Sequence, residues 1–554
     1  MQRLILLLAA GLSLAAVARA DVKLPAIFGD HMVLQQDIKI PVWGQADPGE
    51  EVTVSFAGQT LKTKAADDGK WRVNLEKIAT NSVGQTLTVT GNNQVKFDDV
   101  VVGEVWIGSG QSNMEFTLTN AHNAATEIPA ANDQLLRLYL VERQRSPRPL
   151  GDLQKPSAWQ VCTPDSARGF SAVAYFFAKE LRGHLQRPVG MIAASWGGSG
   201  CESWISQDVV FNLDASGKQW QREFEDYLAT YDQRAAAYPA LKEKYDADLK
   251  QWQTEVEQSE DFKAQNKAWY LAATQARKEN QADPPRPVPA RPRPVEPRDP
   301  AAEVRVGFLF NGMIAPLIPY AIRGAIWYQG ESNVGGAHRY LMTSTALIKD
   351  WRARWSEGDF PFLFVQLANH KMPVNELLQT ANDWPRLREA QLQTLAALPN
   401  TGMATAIDLG DAIDIHPRDK ADVGHRLALA ARKIAYGENL VDSGPLYKSM
   451  QIDGNKIRVT FSDLGSGLAI GVPPWVSKGE IPPVADELQG FAIAGADKKF
   501  VWAKARIEGD AVIVWSDEVP APVAVRYGWA NNPVLNLYNK EKLPASPFRT
   551  DKWE

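Results

Sequence analysis

A chain of 554 residues is too long for one hydrophobic core, so two to four domains are expected. Hydrophobic residues at 45% and charged residues at 23% are the proportions of an ordinary folded protein, not of a disordered one. A net charge of -5 and a pI near 5.9 argue against a nucleic-acid binder, which needs a basic face.

The chain opens on an export signal. Arg3 supplies the positive start, residues 4–17 the apolar stretch, and Ala18-Arg-Ala20 a small-x-small cleavage site. The mature chain is expected to begin at Asp21 and to be periplasmic or secreted. No cysteine follows the cleavage site, which argues against a lipid anchor. No later segment approaches the ~20 apolar residues that span a bilayer. In an oxidising compartment Cys162 and Cys201 are either a disulfide pair or two small buried residues. Neither has a metal-ligand spacing.

Residues 21–101 are short apolar runs divided by turns. Runs at 38–43, 52–56, 71–75 and 87–90 are separated by signals such as Ala57-Gly58 and Gly91-Asn-Asn93, the pattern of a β-sandwich domain. The texture then changes. Residues 100–108 are almost continuously apolar, as in a strand buried on both faces. Residues 189–194, 321–328 and 362–367 repeat the theme, with helical stretches at 172–181, 340–355 and 426–436. This alternation predicts a parallel sheet in an α/β domain over 102–444.

Residues 214–303 interrupt that domain. Trp220, Phe224, Tyr227 and Tyr231, then Leu241, Tyr245, Leu249 and Trp252, mark two amphipathic helix faces divided near Pro239. The proline-rich run 284–297 reads as an extended connection. The insertion is either a helical hairpin beside the active-site cleft or a structural decoration. Strands return at 456–461, 500–507 and 511–516, which gives a second β domain over 445–554. The 18 tryptophans suit sugar rings and β-rich cores alike.

The chemistry gathers in four segments. Gly108-Ser-Gly-Gln-Ser-Asn-Met114 follows a buried strand and presents Ser112 on a tight glycine turn, where a nucleophile is held rigidly. It is not the lipase elbow, because Met114 stands where a glycine would be. Ser195-Trp-Gly-Gly-Ser-Gly200 follows a second strand and offers backbone N–H groups to a developing oxyanion. Trp327-Tyr-Gln-Gly-Glu-Ser-Asn333 adds the amides of Gln329 and Asn333. Asp408-Leu-Gly-Asp-Ala-Ile-Asp-Ile-His-Pro417 places His416 close behind acids, as a Ser–His–acid triad requires. An open α/β sheet brings such groups together at the carboxyl ends of its strands.

Together these segments resemble the SGNH-hydrolase superfamily, and within it the sialate O-acetylesterase-like carbohydrate esterases. Asp30-His-Met-Val-Leu-Gln35 and Leu543-Pro-Ala-Ser-Pro-Phe-Arg-Thr-Asp551 extend the similarity over most of the mature chain. The resemblance implies a three-layer, parallel-sheet hydrolase domain flanked by N- and C-terminal β-sandwich-like domains. It implies Ser112 as nucleophile, His416 as base and Asp414 as acid, with Asp411 in reserve. Ser112 and Gly197 or Gly198 become backbone oxyanion donors, and Gln329 or Asn333 the side-chain donor. Trp196, Glu331 and Arg388 are candidate substrate contacts. The implied substrate is an O-acetylated sugar of the sialic acid type, and no metal or organic cofactor is called for. Plant hemicelluloses, xyloglucan or xylan, are an alternative that Trp196, Trp204, Trp327 and Trp384 would serve as platforms. A non-catalytic carbohydrate-binding protein is a further alternative, against which the paired serine and histidine stand.

Overall fold

The computed structural model describes residues 21–155, 157–279, 281–289, 291–303, 306–371, 383–474 and 486–553. The expected export signal lies outside the described residues. The chain divides into two compact units. One runs to Arg143 and includes Gly151–Cys201 and the chain from Met313 onward; the other is Gln144–Leu150 with Glu202–Gly312.

The first unit is a mixed α/β body with a large sheet and several smaller ones. Seven strands define the part that matters for function: β1 (Gln94–Gly110), β2 (Asp133–Leu140), β3 (Trp159–Cys162), β4 (Val189–Ser195), β5 (Gly324–Tyr328), β6 (Phe362–Gln366) and β7 (Thr401–Thr405). They lie in the order β7-β6-β5-β1-β4-β2-β3, parallel throughout except for the antiparallel β2–β3 pair.

The boundary expected near residue 101 falls inside β1. The start of this strand pairs antiparallel with Asn81–Thr90, and its middle pairs in parallel with Val33–Gln35. Its first six residues alternate between exposed and half-buried, while every residue from Val100 to Gly110 is buried. The change of sequence texture records a change from one covered face to two, within one continuous strand.

Four helices flank this sheet: α1 (Ala172–Leu185), α2 (Ala337–Trp355), α3 (Asp383–Ala397) and α4 (Lys420–Ile434). Two of them start on side-chain caps. Ser171 caps α1 by accepting from the Ala174 N–H, and Asp419 caps α4 by accepting from Asp422. Gly424 of α4 must be small, because a Cβ there would sit 2.6 Å from the Cβ of Phe176 in α1. Phe177, Val423 and Leu427 join Trp106, Ile326 and Leu363 in one buried cluster. The neighbouring residues Trp327 and Phe362 point the other way, onto Trp351 of α2, with ring centroids 6.2 and 5.8 Å apart.

Toward the C-terminus, Leu446–Asp453, Lys456–Ser462, Ala511–Trp515 and Lys504–Glu508 form one four-stranded sheet. Phe491–Gly495, Phe500–Trp502, Pro522–Tyr527 and Phe548–Arg549 form another. The single run expected at 500–507 is therefore two short strands that part at Ala503 and enter different sheets.

In the second unit one helix spans Ala215–Trp252 without breaking at Pro239. The two apolar stripes read from the sequence belong to the same face. Tyr227 and Tyr245, like Tyr231 and Leu249, are 18 residues apart, which is five turns at about 3.6 residues per turn. A shared face on both sides of the proline outweighs the loss of one helical hydrogen bond. Among its described residues the proline-rich run forms no helix or strand, and it receives the indole N–H of Trp252 on the Arg291 carbonyl and that of Trp269 on the Pro284 carbonyl. No helix among the described residues is long and apolar enough to cross a membrane.

Candidate active site

Three neighbouring strands end together. In the sheet register Gly110 of β1 lies opposite Ser195 of β4 and Tyr328 of β5. The segments that follow those ends are the serine turn, the Trp196-Gly-Gly198 loop and the Gln329-Gly-Glu331 loop. Gly110 has a φ of +140°, and a Cβ there would lie 2.1 Å from the Tyr328 carbonyl oxygen, so the chain can turn only with glycine. The Gln111 N–H then donates to that carbonyl at 3.0 Å, and Trp196 N–H donates to the Gly110 carbonyl at 3.0 Å. Ser112 begins a single helical turn, Ser112–Glu115.

The glycine loop packs against Ser112. A Cβ on Gly197 would fall 3.3 Å from the Cβ of Ser112 and 3.0 Å from Oε2 of Glu115. The Gly197 N–H is already committed, donating to Glu115 Oε2 at 2.9 Å. The Gly198 φ of +72° turns the chain sharply beside it. Arg143 pairs with Glu115 and lies 5.7 Å over the ring of the half-buried Trp196.

The Gln329 amide is fully buried and committed. Its Nε2 donates to Asn333 Oδ1 at 2.7 Å and to Gln111 Oε1 and the Ser199 carbonyl at 3.2 Å each. Its Oε1 accepts from Tyr340 at 2.8 Å. Asn333 Oδ1 also accepts from the Cys201 N–H at 2.9 Å. These bonds weld the second and third loops to the serine turn. Cys162 and Cys201 are both buried and are not joined as a disulfide, and burial pushes the Cys162 thiol up to about 11.

His416 arrives from the loop after β7. Its backbone N–H and its Nδ1 both face Asp414 Oδ1, at 2.9 and 3.2 Å. Asp411, the reserve acid, instead accepts from the N–H groups of Ile413 and Asp414 at 2.9 and 3.1 Å and so shapes the turn. The His416 ring stacks on Phe116, with centroids 6.4 Å apart and planes 24° apart, and the Phe116 N–H donates to the Ser112 carbonyl.

Two residues that sequence reasoning missed hold this meeting together. Asn113 Nδ2 donates to Glu331 Oε1 at 2.5 Å and to the Ile415 carbonyl, next to His416, at 3.1 Å. Lys420 Nζ donates to Asn113 Oδ1 at 2.5 Å. Lys420 is fully buried, and burial brings its ammonium down to about 7. Burial also pushes the Glu331 carboxyl above its ordinary range. The signal for Asn113 was its place next to the serine. Lys420, in the first turn of a helix, carried no local signal, because only its complete burial makes it unusual.

Several expected substrate contacts are elsewhere. The Arg388 guanidinium is fully buried and donates to the carbonyls of Leu367, Ala368, Ala530 and Asn531 at 2.7–2.8 Å. Four of its five N–H groups are spent on backbone and the side chain is 0% exposed, so it ties loops together and is not open to a sugar. The Glu331 carboxylate is likewise turned inward onto Asn113. Trp204, Trp327 and Trp384 are buried and offer no platform; Trp196 alone of the four is partly open. His425 pairs with Glu180 at 2.8 Å, away from the serine turn.

Comparison with known proteins identifies the family. Residues 309–433 match the family model for carbohydrate esterase, sialic acid-specific acetylesterase. The chain is 30% identical to sialate O-acetylesterase of Mus musculus over 94% of its own length and 92% of that protein. It is 29% identical to the Homo sapiens protein of the same name, over 77% and 74% of the two chains. The crystal structure of a carbohydrate acetylesterase from Xanthomonas citri superposes with a TM-score of 0.72 at 37% identity, covering 96% of this chain and 100% of that one. The protein is thus a carboxylic-ester hydrolase of the carbohydrate acetylesterase class. The chain belongs to the sialate O-acetylesterase family.

Proposed function

We propose that this esterase is exported, has the layered SGNH-type architecture, and releases acetate from O-acetylated sugars of the sialic acid type through Ser112, His416 and Asp414. The observation that carries the reading is the Asn113 bond to the Ile415 carbonyl, which ties the residue after the serine to the residue before the histidine. With Nδ1–H on Asp414, the His416 Nε2 is left as the base. It takes the Ser112 Oγ proton as Oγ attacks the acetyl carbonyl carbon. The Ser112 and Gly198 N–H groups and the Asn333 amide receive the oxyanion. Gly197 and Gln329 leave this set, because Glu115 holds the first N–H and three acceptors share the second amide. His416 returns the proton to the departing sugar oxygen. Water, activated by the same base, then cleaves the acetyl-enzyme to acetate and free serine.

The similarity to proteins named sialate O-acetylesterase favours an acidic sugar over a neutral hemicellulose. The test is acetate release from O-acetylated sialic acid, acetylated xyloglucan and acetylated xylan, with Ser112→Ala beside the parent. Release from the sialic acid by the parent alone is expected. Equal activity of Ser112→Ala removes the serine mechanism; release from the plant glycans alone moves the substrate to neutral polysaccharides.

A further inference from the structure

Behind the serine turn lies a buried polar cluster that acyl transfer does not require. Asn113 is 1% exposed and Lys420 0% exposed. The Glu331 Oε2 is buried with no hydrogen bond among the described residues. Hydrophobic side chains would fill such a space at lower cost, since burying ionisable groups costs several kcal/mol apiece by order of magnitude.

The geometry gives the cluster a purpose. Asn113 ends in a primary amide, and a half-turn of that amide exchanges its donor for its acceptor with almost no change of shape. Only one orientation offers a donor to the Ile415 carbonyl; the other sets oxygen against oxygen. Two neighbours fix the choice. Lys420 Nζ donates to Oδ1 at 2.5 Å, and Glu331 Oε1 accepts from Nδ2 at 2.5 Å. The rings of Phe116 and Tyr328 lie 4.8 and 5.2 Å from Nζ and wall it in.

We propose that Lys420 and Glu331 are positioning residues: together they lock the Asn113 amide in the orientation that ties the His416 loop to the Ser112 turn. This rests on the reading of Ser112 and His416 as nucleophile and base. The lock does not depend on charge. A neutral lysine amine still donates to Oδ1, and a protonated carboxyl still accepts on Oε1, which fits a pair whose ionisation burial disfavours on both sides.

The experiment is steady-state kinetics on an acetyl ester for Asn113→Ala, Lys420→Met, the double variant, Glu331→Ala, Glu331→Gln and Ser112→Ala, with thermal unfolding of each. Asn113→Ala and Lys420→Met are expected to lower kcat about 10- to 100-fold with KM within about two-fold, as for a displaced base. The double variant is expected to be no worse than Asn113→Ala, because both act through one amide. Glu331→Gln, which keeps an acceptor for that amide, recovers most of what Glu331→Ala loses. If Lys420→Met does not fold, the Asn113 and Glu331 variants carry the comparison. Loss of stability without loss of kcat, or multiplicative losses in the double variant, overturns the proposal. An active Ser112→Ala instead overturns the mechanism on which it rests, so the two failures are distinct.

Discussion

The N–H of Gly197 donates to Oε2 of Glu115 at 2.9 Å, although the same glycine packs against Ser112. A donor expected to face a reacting oxygen is thus turned onto a carboxylate three residues past the nucleophile. Gly197→Ala pushes a methyl group against both Ser112 and Glu115. Displacing the serine by a few tenths of an ångström is expected to cost about ten-fold in kcat with little change in melting temperature. Kinetics with thermal unfolding of the variant checks this; full activity means the loop yields and the serine does not.

The two acids near His416 separate by role. Asp414 touches the imidazole, while Asp411 caps the turn that delivers it. Asp414→Asn is expected to lower kcat by about 10- to 100-fold, less than for a buried triad acid because Asp414 is half in solvent. Asp411→Ala is expected to lower stability by about 1–2 kcal/mol as well, since two backbone donors lose their acceptor. Denaturation curves and kcat measured together distinguish the two.

Arg388 makes a stability prediction. Its guanidinium serves four carbonyls, and burial brings its pKa down to about 9. Arg388→Met leaves those carbonyls without their donor and is expected to cost about 3–5 kcal/mol. The KM of whatever fraction folds is expected to stay within about two-fold of the parent, since no substrate contact is removed. A large rise in KM with intact stability restores Arg388 to the binding site.

Lys420 sets a pH dependence. Its ordinary pKa of 10.5 falls to about 7 on folding, so between those values the unfolded chain holds a proton that the folded chain has released. Stability attributable to this group rises with pH across that window, and is lowest below pH ~7, where the buried ammonium must be kept charged. Urea denaturation at pH 6.5 and pH 9 is expected to show the parent gaining on Lys420→Met at the higher pH. The opposite trend contradicts the burial argument.

The proposed export predicts cleavage after Ala20, which would leave a mature chain that begins at Asp21. Mass spectrometry of protein recovered from a secretion-competent bacterial host is expected to find that N-terminus, and an intact Met1 in an active, cell-associated product speaks against export.

The serine, histidine and glycine-loop segments were legible because turn chemistry and acid–base spacing are local. The buried runs at 100–108 and 189–194 announced parallel strands for the same reason. What escaped was non-local. Arg388 reads as a candidate substrate contact, since the four carbonyls it serves come from loops at 367–368 and 530–531. Core and platform stay open for Trp204, Trp327 and Trp384 in the sequence, because burial is decided by neighbours far along the chain. Pro239 read as a helix boundary, although the phase of the aromatic stripe on either side already fitted one helix. Asn113 and Lys420 meet across 307 positions, a contact that no window of sequence contains.

The 17-residue strand that ends at the serine turn is also a strand of the N-terminal sheet. Amputating the chain near residue 101 would not detach an accessory module; it would saw through the beam on which Ser112 stands. The N-terminal strands and the rest of this sheet should therefore melt as one cooperative body, and grafting the Ser112 segment elsewhere should require residues 21–100 to travel with it.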